Sequence, residues 1–190
     1  MLACVIHSPV LCSTIKAETA LAFDQAALPD VLYLTTKCPH LDSLWFEILR
    51  LTNASSAIRS VRKPTRVGTK VLMPGYKVMC PFRQLHFDQA VFGEGFDQCD
   101  PDRFFRDPKL SRHPSYKPFG GGATMCPRRF IARQEVYVFI TLFLHRFETR
   151  LGKGSGVFPR FQLATPTTGI ISPKGGDDVV VDLQEKAVLP

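Results

Sequence analysis

The chain has 190 residues, 45% hydrophobic and 22% charged, which is apolar material enough for one domain with a sizeable core and excludes a disordered polar chain. Its 24 Lys and Arg against 17 Asp and Glu leave a net charge of +7; the basic residues are scattered, which suits a solvated surface, an acidic redox partner or the carboxylates of a cofactor, and no nucleic-acid motif accompanies them. The six cysteines, at 4, 12, 38, 80, 99 and 126, form no Cys-x-x-Cys pair and no zinc spacing, so they read as reduced thiols of an intracellular compartment.

Met1 to Leu11 has no basic n-region and carries His7 and Pro9, unlike a signal peptide. Ser8-Pro9 is a helix-start pair, and Val10, Leu11, Ile15, Leu21, Ala22 and Phe23 predict an amphipathic helix over 8–23. Residues 24–40, broken by Pro29 and Pro39, read as a loop. Leu41, Leu44, Trp45, Ile48 and Leu49 fall at helical spacing and predict a helix over 41–51. Within it Glu47 and Arg50 share a face; an exposed pair of this kind contributes only ~0.3–0.5 kcal/mol.

Residues 57–61 read as a strand, and 69–73 and 76–80, flanking Pro74-Gly75, as a β-hairpin. A short helix over 81–86 follows, then a turn-rich stretch, 87–118, that reads mostly as loop. Residues 129–148 predict the longest helix, with Phe130, Ile131, Val136, Tyr137, Phe139, Ile140, Leu142, Phe143, Leu144 and Phe147 on nearly every face. Such a helix belongs inside a larger body. Its strongest apolar run, Val136 to Leu144, is too short to span a bilayer. After Gly152–Gly156 come short strands around 165–171 and a last strand over 179–183.

The chemistry concentrates in Phe119-Gly120-Gly121-Gly122-Ala123-Thr124-Met125-Cys126-Pro127-Arg128-Arg129-Phe130. One cysteine ends a glycine-rich loop directly before the long helix. Glycines permit a sharp turn and close approach to a flat ligand. The helix start turns unpaired N–H groups and the positive dipole end toward Cys126, which favours the metal-ligating thiolate. Pro127 fits a first helical turn. Phosphate binding by the glycines has no following Lys-Ser/Thr behind it.

This loop resembles that of the haem-thiolate cytochromes P-450, whose signature reads Phe-x-x-Gly-x-x-x-Cys-x-Gly. Phe119, Gly122 and Cys126 match, Ala132 falls where a small residue follows, and Arg128 stands where the family has glycine. Glu47-x-x-Arg50 and Pro101-Asp102-Arg103-Phe104 are similar to two further hallmarks. In the family, that Glu and the two arginines make a buried knot beneath the cysteine loop, with a structural role. Segments 41–59 and 115–129 look closest to sterol 7α-hydroxylases and related fungal enzymes.

The resemblance implies a mainly α fold with small β-sheets, in which residues 1–190 correspond to the C-terminal part of the family's domain, with the cysteine loop at 117–129 and the buried helix at 129–148. It implies haem as cofactor, Cys126 as the iron ligand, and Arg59, Phe119, Gly122 and Arg129 as cofactor contacts, Arg59 reaching a propionate where Thr124 replaces a basic group. It further implies monooxygenation of a lipophilic small molecule (terpenoid, sterol-like or fungal secondary metabolite), with electrons from an NADPH-dependent reductase. Most relatives are bound to the endoplasmic reticulum; no anchor is legible here. Met1–Ile6 looks like the tail of the family's central helix, so the expectation is a truncated chain that is inactive alone. The other readings are a working enzyme whose remaining part is supplied or lost from the gene sequence, and a non-enzymatic haem-binding module. If Arg128 needs φ > 0, it is strained.

Overall fold

Two short helices open the chain: α1 (Leu2–His7) and α2 (Pro9–Thr19). In the computed structural model the described residues are 1–23, 28–153, 156–162 and 169–186. Ser8 caps α2 by accepting from Leu11 N at 3.3 Å, and Pro9 fits its first turn. The expected loop over 24–40 is only partly loop; its residues 24–27 lie outside the described residues. Residues Val31–Lys37 form α3, started by Asp30, whose carboxylate accepts from Leu32 N at 2.8 Å and Tyr33 N at 3.3 Å. Burial of Leu34 holds it in place.

The next helix, α4 (Pro39–Thr52), is capped from a distance. Glu18, on α2, accepts from His40 N at 2.9 Å and Leu41 N at 3.1 Å, placing a carboxylate on the positive end of α4. The apolar stripe read from the sequence faces inward: Leu41, Leu44, Trp45 and Leu49 are buried with Val5, Leu11, Ile15, Leu34, Tyr137, Ile140 and Leu144 in the main core.

Among the described residues three two-stranded antiparallel ladders form, all after α4 in the chain. Strand β1 (Ser56–Ser60) does not lead into a hairpin around Pro74-Gly75. It pairs with β4 (Lys77–Pro81), Ser56 opposite Pro81 and Ser60 opposite Lys77. Between them β2 (Thr65–Val67) and β3 (Lys70–Leu72) form a nested hairpin with Val67 opposite Lys70. The expected pairing of 69–73 with 76–80 is therefore corrected. Gly68, at φ +58°, supports the two-residue connection. Pro74 and Gly75 instead make a bend, with Gly75 N on Val61 O at 2.9 Å.

Helix α5 (Phe82–His86) lies where a short helix is expected. The stretch after it is mostly turns, interrupted by α6 (Gln89–Phe92) and α7 (Arg103–Arg106). A satellite core of Phe92, Phe104 and Tyr116 fills the space beneath them. The long helix, α8 (Arg129–Arg146), ends two residues before the sequence expectation because Phe147–Leu151 is extended as β5 and pairs with β6 (Val181–Glu185). Among the described residues α8 is covered on one side only. Tyr137, Ile140, Thr141 and Leu144 are buried, whereas Phe130 and Phe139 are 61% and 56% exposed.

Candidate functional site

Glu47 and Arg50, one turn apart on α4, are both fully buried. The pair is bidentate, with Arg50 Nε and Nη2 each donating to Glu47 at 2.8 Å. Arg103, at the start of α7, brings its Nε to 3.3 and 3.4 Å from the same carboxylate oxygens, and Asp100 N donates to Glu47 Oε1 at 3.0 Å. The remaining guanidinium donors bind backbone. Arg50 reaches the carbonyls of His86, Phe96 and Gln98, and Arg103 those of Phe92 and Gly95. A charge pair removed from water needs this degree of satisfaction. It fastens the turn-rich segment 86–100 onto α4.

From that knot, hydrogen bonds run to the cysteine loop. His86 is fully buried; its carbonyl accepts from Arg50 Nη1 at 2.9 Å and its ring Nε2 accepts from Lys117 N at 2.9 Å. Burial pushes its imidazole down to about 4, so it stays neutral and keeps an acceptor nitrogen. The residues on either side of Lys117 are held as well. Tyr116 Oη donates to Phe46 O at 2.9 Å, and Asn53 Nδ2 donates to Pro118 O at 2.6 Å. His86, Tyr116 and Asn53 carried no signal in the sequence, because nothing local marks a side chain that acts 31, 70 or 65 positions away.

The loop then turns through Gly120, at φ +79°, and Gly122, at φ +63°. A Cβ on Gly120 would come no closer than 3.9 Å to Phe82, and one on Gly122 would meet nothing within 4 Å. Backbone conformation, not space, requires glycine here. Cys126 N closes the turn onto Phe119 O at 2.9 Å. Arg128 sits at φ −77°, ψ 0°, so a side chain where the family has glycine carries no left-handed strain.

Cys126 borders a cavity of roughly 470 Å³ together with Asn53, Ala57, Arg59, Phe82, Phe119 and Thr124, a size in the range of small-molecule and cofactor sites. Arg59, on β1, is exposed; its Nη2 donates to Thr124 Oγ1 and its Nη1 to Ile58 O. Strand and loop thus bring Arg59 to the same cavity as Cys126. Phe119 borders it too, while Gly122 shapes the turn without lining it. Arg129, expected beside them, is not among the cavity's lining residues. Its guanidinium donates to Cys126 O at 2.9 Å, lies 4.1 Å over the Phe130 ring, and lines a second cavity with Trp45, Tyr116, Met125 and Arg133.

The cavity suits a flat anionic cofactor. It offers one sulfur, a guanidinium at its edge, and a loop whose glycines present no side chain. Among the described residues no group of three or more His, Cys, Asp and Glu could hold a metal ion.

Comparison with known proteins gives the family and the fold. The family model described as Cytochrome P450 matches residues 1–176. Cytochrome P450 734A5 of Oryza sativa subsp. japonica is 34% identical over 138 residues, covering 70% of this chain and 25% of that protein. A self-sufficient cytochrome P450 monooxygenase, CYP505AG1, of Oidiodendron maius is 32% identical over 142 residues, 73% of this chain and 13% of that one. Among solved structures, a zebrafish cytochrome P450 with abiraterone aligns over 98% of this chain and 43% of its own, with a TM-score of 0.76 at 23% identity. The chain belongs to the cytochrome P450 family. Haem and redox partners are properties of that family, and the chain spans about a quarter or less of the length of these curated relatives.

Proposed function

We propose that this chain carries the thiolate-bearing part of a haem monooxygenase, with Cys126 as the iron ligand and Arg59 as the contact for a porphyrin carboxylate. The observation that carries the reading is the joint presence of Cys126 and Arg59 on one cavity beside the glycine turns. Thiolate-ligated haem supplies dioxygen activation for insertion of one oxygen atom into a C–H bond. The chain's own residues do the positioning. Anchors at Tyr116, Lys117 and Pro118 fix where the loop begins, and the bond from Cys126 N to Phe119 O fixes where it ends. Arg59 engages Ile58 O and Thr124 with two of its donors and has further N–H groups for an anion. Glu47, Arg50 and Arg103 are structural.

The substrate we assign is a lipophilic small molecule, terpenoid or sterol-like, with electrons from an NADPH-dependent reductase; the resemblance of the loop and of the Glu-x-x-Arg segment supports this. The 190 residues taken alone are inactive on this reading, because the apolar outer side of α8 lies open. A second reading, an active enzyme when the remaining part of the family fold is supplied, is favoured by that same uncovered face. In the test, the chain is reconstituted with haem, reduced and exposed to CO. A thiolate-type Soret band that disappears in Cys126→Ser, with no substrate oxidation when reductase and NADPH are added, is expected. A spectrum indifferent to Cys126→Ser overturns the ligand assignment; turnover by the chain alone overturns the inactivity.

A further inference from the structure

Two cysteines meet although 95 positions separate them: Cys4 Sγ lies 3.5 Å from Cys99 Sγ. Cys4 is buried in the main core on α1, next to the fully buried Val5, and Cys99 packs against the same core while remaining partly accessible. The backbone on both sides of Cys99 is tied to the knot. Gln98 O accepts from Arg50 Nη2 at 3.4 Å, and Asp100 N donates to Glu47 Oε1 at 3.0 Å. Both sulfurs are therefore presented by well-anchored backbone. A disulfide bond is about 2.05 Å long, so each sulfur needs to move by roughly 0.7 Å from the 3.5 Å contact. Cys99 also borders a cleft of roughly 680 Å³ with Phe158, Arg160 and Lys174, through which a small oxidant reaches it.

We propose that Cys4 and Cys99 are a redox modification site: a peroxide joins them in a disulfide that staples α1 to the knot-bearing segment. The contact between the thiols prepares the pair. A hydrogen bond from Cys99 favours the Cys4 thiolate, while the same bond and burial push the Cys99 thiol up. Peroxide entering by the Cys99 cleft meets the Cys4 thiolate 3.5 Å behind it; the thiolate attacks one peroxide oxygen, the O–O bond breaks, the sulfur becomes a sulfenic acid, and the leaving hydroxide takes up the proton that Cys4 released, giving the first water. The Cys99 sulfur then attacks the sulfenic sulfur, the S–S bond forms, and the second water leaves with its proton. Two thiols and one hydrogen peroxide give one disulfide and two waters, and two electrons pass from sulfur to oxygen.

Mass spectrometry of the full chain tests this. The native chain is treated with stoichiometric hydrogen peroxide, alkylated in denaturant and digested with trypsin. The expected product links the peptide containing Cys4 (residues 1–16) to the peptide containing Cys99 (84–103), with fragmentation placing the bond on Cys4 and not on Cys12. Dithiothreitol reverses it, and Cys4→Ser and Cys99→Ser each remove it. Because the closed loop is long, the oxidised chain melts higher, by on the order of 10 °C. Full alkylation of Cys4 and Cys99 after peroxide overturns the proposal. So does a link that forms equally with Cys12, or equally well when peroxide is added in denaturant, since the native contact would then play no part.

Discussion

Truncating Glu47 to alanine isolates the energetics beneath the cysteine loop. The carboxylate takes two 2.8 Å bonds from Arg50, longer ones of 3.3 and 3.4 Å from Arg103 Nε, and a 3.0 Å bond from Asp100 N. Glu47→Ala removes all of these and leaves two guanidinium groups inside the protein, Arg50 fully buried and Arg103 7% exposed. Breaking a buried ion pair from one side costs about 3–5 kcal/mol. Backbone carbonyls still receive donors from both arginines, which argues for the lower end of that range. Against a whole-domain stability of about 5–15 kcal/mol this is a large fraction, and for a chain of this size it corresponds to a melting point lower by roughly 6–20 °C. Far-UV circular dichroism under heat and urea, on parent and variant, measures it. A loss of no more than ~1 kcal/mol, the value for an exposed pair, would refute the reasoning, because it would mean that the three charges are not desolvated together.

Other perturbations probe the path from the knot to Cys126. Burial holds His86 near 4, below the ~6.5 of a free imidazole. On acidification the unfolded chain therefore takes up the proton first, and the stability His86 contributes is complete above about pH 6.5 and is lost toward pH 4. The urea midpoint of the parent should fall more steeply across that window than that of His86→Gln; parallel curves would refute the assignment. Asn53→Ala leaves Pro118 O without its side-chain partner and should cost about 1–3 kcal/mol in urea melts. Gly120→Ala forces a Cβ into φ +79° and should lose about 1–2 kcal/mol. Arg128→Gly should bring no gain in the same melts, since Arg128 is at φ −77°, and Gly there adds only unfolded-state entropy.

Much of the site was legible before any coordinates. Phe119, Gly122 and Cys126 stand at fixed spacing, and the Glu47–Arg50 and Arg103 segments stand at fixed distances before them. These are short-range signals, in which residue type and interval are read directly. The positive φ at Gly120 and Gly122 follows from the same stretch. Other signals were present but outcompeted. Asp30 caps α3 between Pro29 and Pro39, two residues that by themselves point to a loop. The tight turn falls at Gly68 and not at Pro74-Gly75, although Pro-Gly is the stronger turn dipeptide.

Sequence by itself determined the family, the three longest helices, the thiol that ends a glycine loop, and the apolar excess of α8, because each is written in neighbouring residues or in a periodicity. Only the tertiary structure decided that His86, Asn53 and Tyr116 carry the loop, that Arg59 rather than Arg129 shares a cavity with Cys126, and that Cys4 touches Cys99. These are contacts between residues 31 to 95 positions apart. Burial brings such groups together, and burial is a property of the packed whole that no local stretch encodes.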